Sequence, residues 1–262
     1  MKPLLILILL AIRAAAQDAT DQQPNPPPAP APTVAPQDYD RPVSWKLMIP
    51  NLASDQKRIW LFPLKLFKGD DLIPTASIVG ATVGLVALDP YDAPYFRNTN
   101  AFSGFNRAFS GTHTLYGTVA TPVAMYVGGM ILKDSKMKST ALLAGEAVAD
   151  TYILTTFMKD IDRRLRPIAV VNGNYRDTWF EDNTHPLHSN GSFPSGHSIA
   201  AFSVATVVAR RYRNHKWIPY VAYGMAGVIG FSRLTLSSHF VSDVFMGAAL
   251  GYTISRYDVL RE

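Results

Sequence analysis

Six long stretches rich in Ala, Gly, Val, Ile and Leu, at residues 72–88, 114–132, 140–158, 196–212, 218–231 and 240–256, limit what this chain can become. None alternates apolar and polar residues with the period of two that a half-buried strand needs, and each is long enough for several helical turns. The expected fold class is therefore all-α, a bundle of about six core helices. Pro74 and Pro219 sit where a helix start tolerates proline. Gly80 and Gly84 have the spacing that lets two helices approach closely. Hydrophobic residues make up 48% of the 262-residue chain, enough for one core, so a single folded domain is expected over 43–262.

The regions before that domain read differently. Lys2, an apolar run at 3–12 and the small residues Ala14, Ala15 and Ala16 form the pattern of an export signal, expected at 1–16. An uncleaved anchor is the alternative. Residues 17–42 are rich in Pro, Ala, Gln and Asp, cannot bury an apolar face, and are expected to form a disordered tether. Residues 58–68 mix aromatic and basic side chains. They suit either a segment lying on an anionic membrane or a packed piece of the domain broken at Pro63.

Composition removes several chemistries. There is no cysteine, which excludes disulfides, thiolate catalysis and cysteine-based metal sites. The formal net charge of +5 suits an anionic substrate or membrane surface. No nucleic-acid partner is expected. The long stretch 167–193 has few helix signals and carries His185 and His188, which are not assigned to the site.

Three clusters carry the chemistry. The first is Lys159, six residues, then Arg166-Pro167. If the third helix reaches that far, both cations lie on one face and can hold one anion, Lys as a point charge and Arg as a planar fork. The second is Pro194-Ser195-Gly196-His197, ahead of an apolar helical pattern. Ser195 suits an N-cap, Gly196 lets a ligand approach the backbone, and the N–H groups of Ser195, Gly196 and His197 would form an anion site. The third is Ser232-Arg233, five residues, His239, three residues, Asp243. At helical spacing a carboxylate bonded to one ring nitrogen leaves the other free to attack. Each cluster alone has a bland explanation as a helix end, a cap or a structural ion pair. Together they make a full inventory for phosphoryl transfer without a metal. Near these motifs the carboxylates are few, and no metal site is expected.

The three clusters, in this order and helical context, resemble the tripartite signature of the type 2 phosphatidic acid phosphatase (PAP2) and vanadium haloperoxidase superfamily. The resemblance spans roughly residues 72–256. It implies that His239 is the nucleophile, Asp243 its orienting partner, and His197 the general acid and then base. It further implies that Lys159, Arg166, Arg233, Ser195 and Gly196 bind phosphate. The implied activity is a phosphatase acting on a lipid phosphate, a diphosphate or a small organic phosphomonoester through a phosphohistidine. No cofactor is implied for that reaction, and vanadate would occupy the phosphate site as an inhibitor. The alternative is a vanadium-dependent haloperoxidase, with vanadate as cofactor, but those chains are usually much longer. Lipid phosphatases of the family place the site away from the cytoplasm, so an exported, periplasmic, membrane-associated protein is expected. A cleaved signal followed by three spans would put the site on the wrong side. The expected arrangement is therefore a bundle exported whole and held peripherally, with a fully spanning bundle as the alternative.

Overall fold

The structure, a computed structural model, describes residues 41–171, 173–181 and 190–261. The expected signal at 1–16, residues 17–40 of the expected tether, and His185 and His188 lie outside the described residues. Eight α-helices and no strand are present among the described residues. They are α1 (Met48–Phe67), α2 (Leu72–Asn98), α3 (Ser103–Ala108), α4 (Gly111–Ile131), α5 (Ser135–Asp162), α6 (Gly196–Arg211), α7 (Trp217–Thr235) and α8 (Val241–Thr253). A 3₁₀ turn at Pro167–Ala169 and a π-turn at Ile254–Val259 complete the order. The all-α bundle expected from the apolar pattern is what forms.

Helix α6 is the hub, packing on α4, α5, α7 and α8, while α2 packs on α8. Leu143, Ala144 and Ala147 of α5 meet Val204 and Val207 of α6 and Val259 and Leu260 of the chain end. Ala201 and Ala205 on the other side of α6 meet Ala226 and Ile229 of α7. Small residues at these contacts let the backbones approach closely. The closest approach needs Gly247 and Gly251 of α8. A Cβ on Gly247 would stand 2.7 Å from the Ser195 carbonyl oxygen, and one on Gly251 would strike that of Ile199. Gly80 and Gly84, which the spacing marked for this role, face open space. Spacing alone does not tell which face of a helix meets a neighbour.

Three boundaries differ from expectation. Residues 58–67 belong to α1, with Lys68 as its C-cap, and the helix continues through the exposed Pro63. The helix survives the lost backbone bond because it runs alongside α5, with Asn51 on Glu146, Gln56 on Asp150 and Trp60 edge-on to Phe157. The second helix extends past 88 through Pro90 and Pro94 to Asn98. Arg41, placed in the tether by composition, is buried and paired with Asp55, so the fold includes it.

Large apolar side chains remain outside. Ile73, Val79, Val83 and Leu88 of α2 are exposed, as are Tyr116, Val123 and Ile131 of α4 and Trp217, Tyr220 and Met225 of α7. Among the described residues, α2 is the helix long and apolar enough to cross a membrane.

Candidate active site

The C-terminal ends of α5 and α7 meet the N-terminal ends of α4, α6 and α8 at one end of the bundle. Lys159 lies buried in the last turn of α5. A Cβ built on Gly196 would come within 3.9 Å of the Lys159 Nζ, so the ammonium sits over the start of α6. Arg166 reaches the site by another route than a shared helix face. Arg163 takes the left-handed conformation, φ 41°, and ends α5. Arg166 is then extended, as the residue before a proline should be. Its Nε donates to the Asn190 carbonyl at 2.9 Å.

Ser195 caps α6 as expected, accepting from the Ser198 N–H. Its own N–H, however, donates to the Asp243 carbonyl at 3.0 Å. The anion-binding donors at this end are thus those of Gly196 and His197, which have no acceptor within their helix. The bond from Ser195 instead locks α8 against α6.

His197 is half-buried, and its Nε2 lies 3.0 Å from the Gly111 carbonyl. A carbonyl only accepts, so Nε2 carries the proton. Burial first, then the charges of Arg233, Arg166 and Lys159, push this imidazole down to about 4 against the weaker pull of Gly111. Arg233, 1% exposed, donates to Ser232 Oγ and, through Nη2, to the Phe109 carbonyl at 2.8 Å. Burial and the neighbouring Arg166 charge push it down to about 10. All three cations therefore bear on one region, and that concentration of like charge favours an anion there.

His239 and Asp243 do not form the helical pair that their spacing suggested. His239 precedes α8, and Asp243 is the third residue of that helix, its Oδ2 capping the Phe240 N–H at 2.8 Å. The imidazole Nδ1 donates to the Ser192 carbonyl at 2.7 Å, while Asp243 Oδ2 stands 3.6 Å away. Burial pushes His239 down to about 3, against Asp243 and together with the Lys159 and Arg166 charges. Burial alone would raise Asp243, but Arg164, His239 and Ser192 hold its carboxyl below the usual range. The result is a neutral imidazole with Nδ1 protonated and Nε2 carrying the lone pair.

Sequence reasoning missed three residues here. Ser192 donates its hydroxyl to Asp243 Oδ2 at 2.5 Å. Arg164 donates to Asp243 Oδ1 and to Asp89 Oδ2, both at 2.6 Å. Asp89 arrives from α2, far away in the chain. One signal was available: an aspartate followed by proline closing a long apolar run.

Beside the site runs an apolar groove of about 740 Å³ between α4, α6 and α7. It starts at Phe109 and His113, next to the arginine-bound carbonyl, and ends near Tyr212 and Trp217.

The PAP2 superfamily model matches residues 140–258. Lipid A 1-phosphatase of Porphyromonas gingivalis is 38% identical over 64 residues, covering 24% of this chain and 14% of that protein. Phosphatidylglycerophosphatase B of Bacillus subtilis is 44% identical over 73 residues, covering 24% of this chain and 35% of that protein. The chain thus spans about a third or less of each curated relative. A crystal structure of a transmembrane PAP2-type phosphatidylglycerolphosphate phosphatase from Bacillus subtilis superposes with a TM-score of 0.45 and 20% identity, covering 70% of this chain and 92% of that one. The match to the PAP2 superfamily model thus falls on residues 140–258, which carry all three clusters of the site.

Proposed function

We propose that this protein is a phosphatase that needs no metal and releases phosphate from a lipid phosphate, a diphosphate or a related phosphomonoester through a phosphohistidine. The observation that carries the reading is the His239 ring. Its Nδ1 proton is committed to the Ser192 carbonyl, which leaves Nε2 for attack. Lys159, Arg166, Arg233 and the first N–H groups of α6 would hold the phosphoryl oxygens, with Ser195 fixing that helix end.

In the first step His239 Nε2 bonds to phosphorus as the bond to the leaving oxygen breaks. With the anion bound His197 is the imidazolium, and its Nε2 proton turns from Gly111 to that oxygen, leaving a neutral imidazole. In the second step His197 takes a proton from water, the water oxygen bonds to phosphorus, and the P–N bond breaks to release inorganic phosphate.

The groove beside the site supports a substrate with a long apolar tail, and the names of the relatives agree with a lipid. The exposed apolar faces of α2, α4 and α7 support membrane association. In α2 the apolar run gives out at Asp89, at the level of the site, which suits a phosphate at a headgroup depth. The expected export signal would place that face on the periplasmic side.

The test is phosphate release by purified protein from phosphatidic acid, a polyprenyl diphosphate and a soluble monoester, with acid quenching to trap labelled phosphohistidine. The lipids should be preferred, EDTA should leave the rate unchanged, and vanadate should inhibit by mimicking the transition state. Dependence on added magnesium, or turnover without a labelled histidine, would overturn the mechanism. Retention of the protein in carbonate-washed membranes would show that α2 crosses; release would show peripheral attachment.

A further inference from the structure

We infer that Asp89, Arg164 and Ser192 are positioning residues for His239, forming a chain that carries a constraint from α2 to the Nδ1 proton of the nucleophile. The inference rests on the phosphohistidine reading above.

The chain is continuous. Asp89, fully buried, accepts from the N–H and hydroxyl of Ser242 at 3.2 and 2.5 Å, so a carboxylate of α2 caps the start of α8. Its Oδ2 also accepts from Arg164 Nη2. Arg164, 1% exposed, uses its planar fork on four partners, adding Thr178 Oγ1 at 3.3 Å, Ser242 Oγ at 2.8 Å and Asp243 Oδ1 at 2.6 Å. Its guanidinium lies between the rings of Trp179 and Phe240, 4.5 and 4.0 Å from their centroids. Few degrees of freedom are left to it.

Ser192 is the last link and is bound through three groups. Its N–H donates to the Arg164 carbonyl at 2.8 Å, its hydroxyl to Asp243 Oδ2, and its carbonyl accepts the His239 proton. Asp243 thus acts on the imidazole mainly through Ser192, since its own oxygen is 3.6 Å from Nδ1. A shift of Asp89 or Arg164 would move Asp243 and Ser192 together and turn the ring. The same arrangement explains why Arg164 has a role that its neighbour Arg163, exposed at the helix end, does not share.

The experiment compares wild type, Asp89→Asn, Arg164→Lys and Ser192→Ala in phosphate release, with His239→Ala as the reference for the reading itself. Asp89→Asn preserves shape and removes charge, and Ser192→Ala keeps the carbonyl while removing the hydroxyl link. Each should lower kcat by about 10–100-fold with KM changed less than twofold. The ¹⁵N signal of His239 should show Nδ1 losing its fixed proton and the two tautomers mixing. Arg164→Lys should keep more activity than Arg164→Met. Unchanged kcat in folded Asp89→Asn and Ser192→Ala overturns the inference. So does a loss of kcat with the Nδ1 signal unchanged, since that describes damage elsewhere. If Asp89→Asn does not fold, Ser192→Ala alone decides by the same two readouts. Full activity in His239→Ala would instead remove the phosphohistidine reading, and the positioning inference with it.

Discussion

Two buried ionic clusters in this bundle look alike in composition and differ in how they are satisfied. Near the site, Arg164 lies between Asp89 and Asp243, and every carboxylate oxygen of that pair has a hydrogen-bond donor. Between α1, α5 and the chain end, Arg41 meets Asp55, Glu146 and, nearby, Asp150. There Arg41 Nε and Nη2, Asp55 Oδ1, Glu146 Oε2 and Asp150 Oδ2 lack a hydrogen-bond partner among the described residues. Buried charge alone therefore does not mark a site. A network in which every member is bonded holds its parts in one geometry, whereas one with orphaned atoms mainly carries a desolvation penalty. The first cluster touches the residues that hold His239; the second touches none of them.

The comparison is broken most sharply by activity. His239→Ala should lower kcat by at least about 10³-fold, because the nucleophile acts as a unit with its acid and cradle, while the far-ultraviolet circular dichroism stays that of the wild type. Substantial turnover by the folded variant would remove the site from the first cluster's end of the bundle.

Stability gives the next effect. Arg164→Met leaves Asp89 and Asp243 buried without their shared partner and should destabilise the protein by about 3–5 kcal/mol. Chemical unfolding of wild type and variant measures it. A loss under 1 kcal/mol, on the scale of an exposed ion pair, would mean that the network's order is not a stabilising feature.

The site histidines sharpen the contrast through pH. Both are held neutral, with His239 near 3 and His197 near 4 in the protein without a bound anion. The unfolded chain binds these protons below about 6.5, so their contribution to stability is present above that pH. It is lost as pH falls toward the folded values. A phosphate in the cradle adds negative charge beside His197 and favours its imidazolium. Inorganic phosphate should therefore raise the His197 titration by about one unit or more, followed by NMR of labelled histidine. No movement on saturation would separate His197 from the cradle.

The sequence exposed much of this and hid a definite part. The helices were readable because their apolar runs lack strand alternation, and Ser195 was readable as a cap from its place ahead of one of them. His239, His197, Lys159 and Arg233 come together as the three clusters suggested. The route to Arg166 was hidden, because the left-handed turn at Arg163 ends α5 before it. The same turn separates two adjacent arginines, one exposed and one buried, that look interchangeable in the chain. Asp89 and Ser192 were hidden for a different reason. Their partners lie 75 and 51 residues away, and no local period connects them.

The smallest expected effect tests the second cluster. Asp150 accepts from Gln56 through Oδ1 at 2.9 Å and has no donor for Oδ2. Asp150→Asn keeps the accepting oxygen toward Gln56. It replaces the orphaned one with an amide that can donate to Glu146 or Asp55 nearby, and it removes one of three carboxylates gathered around Arg41. Burial pushes the Asp150 carboxyl up to about 8, so the amide replaces a group already mostly neutral at pH 7, and the only bond at risk is preserved. Stability at pH 7 should change by no more than about 1 kcal/mol. Phosphate release should be that of the wild type, because no hydrogen bond runs from Asp150 to the residues that hold His239. Unfolding curves and kcat measured on the same preparation decide it. A tenfold fall in kcat with stability intact would couple this cluster to the site and erase the distinction between the two.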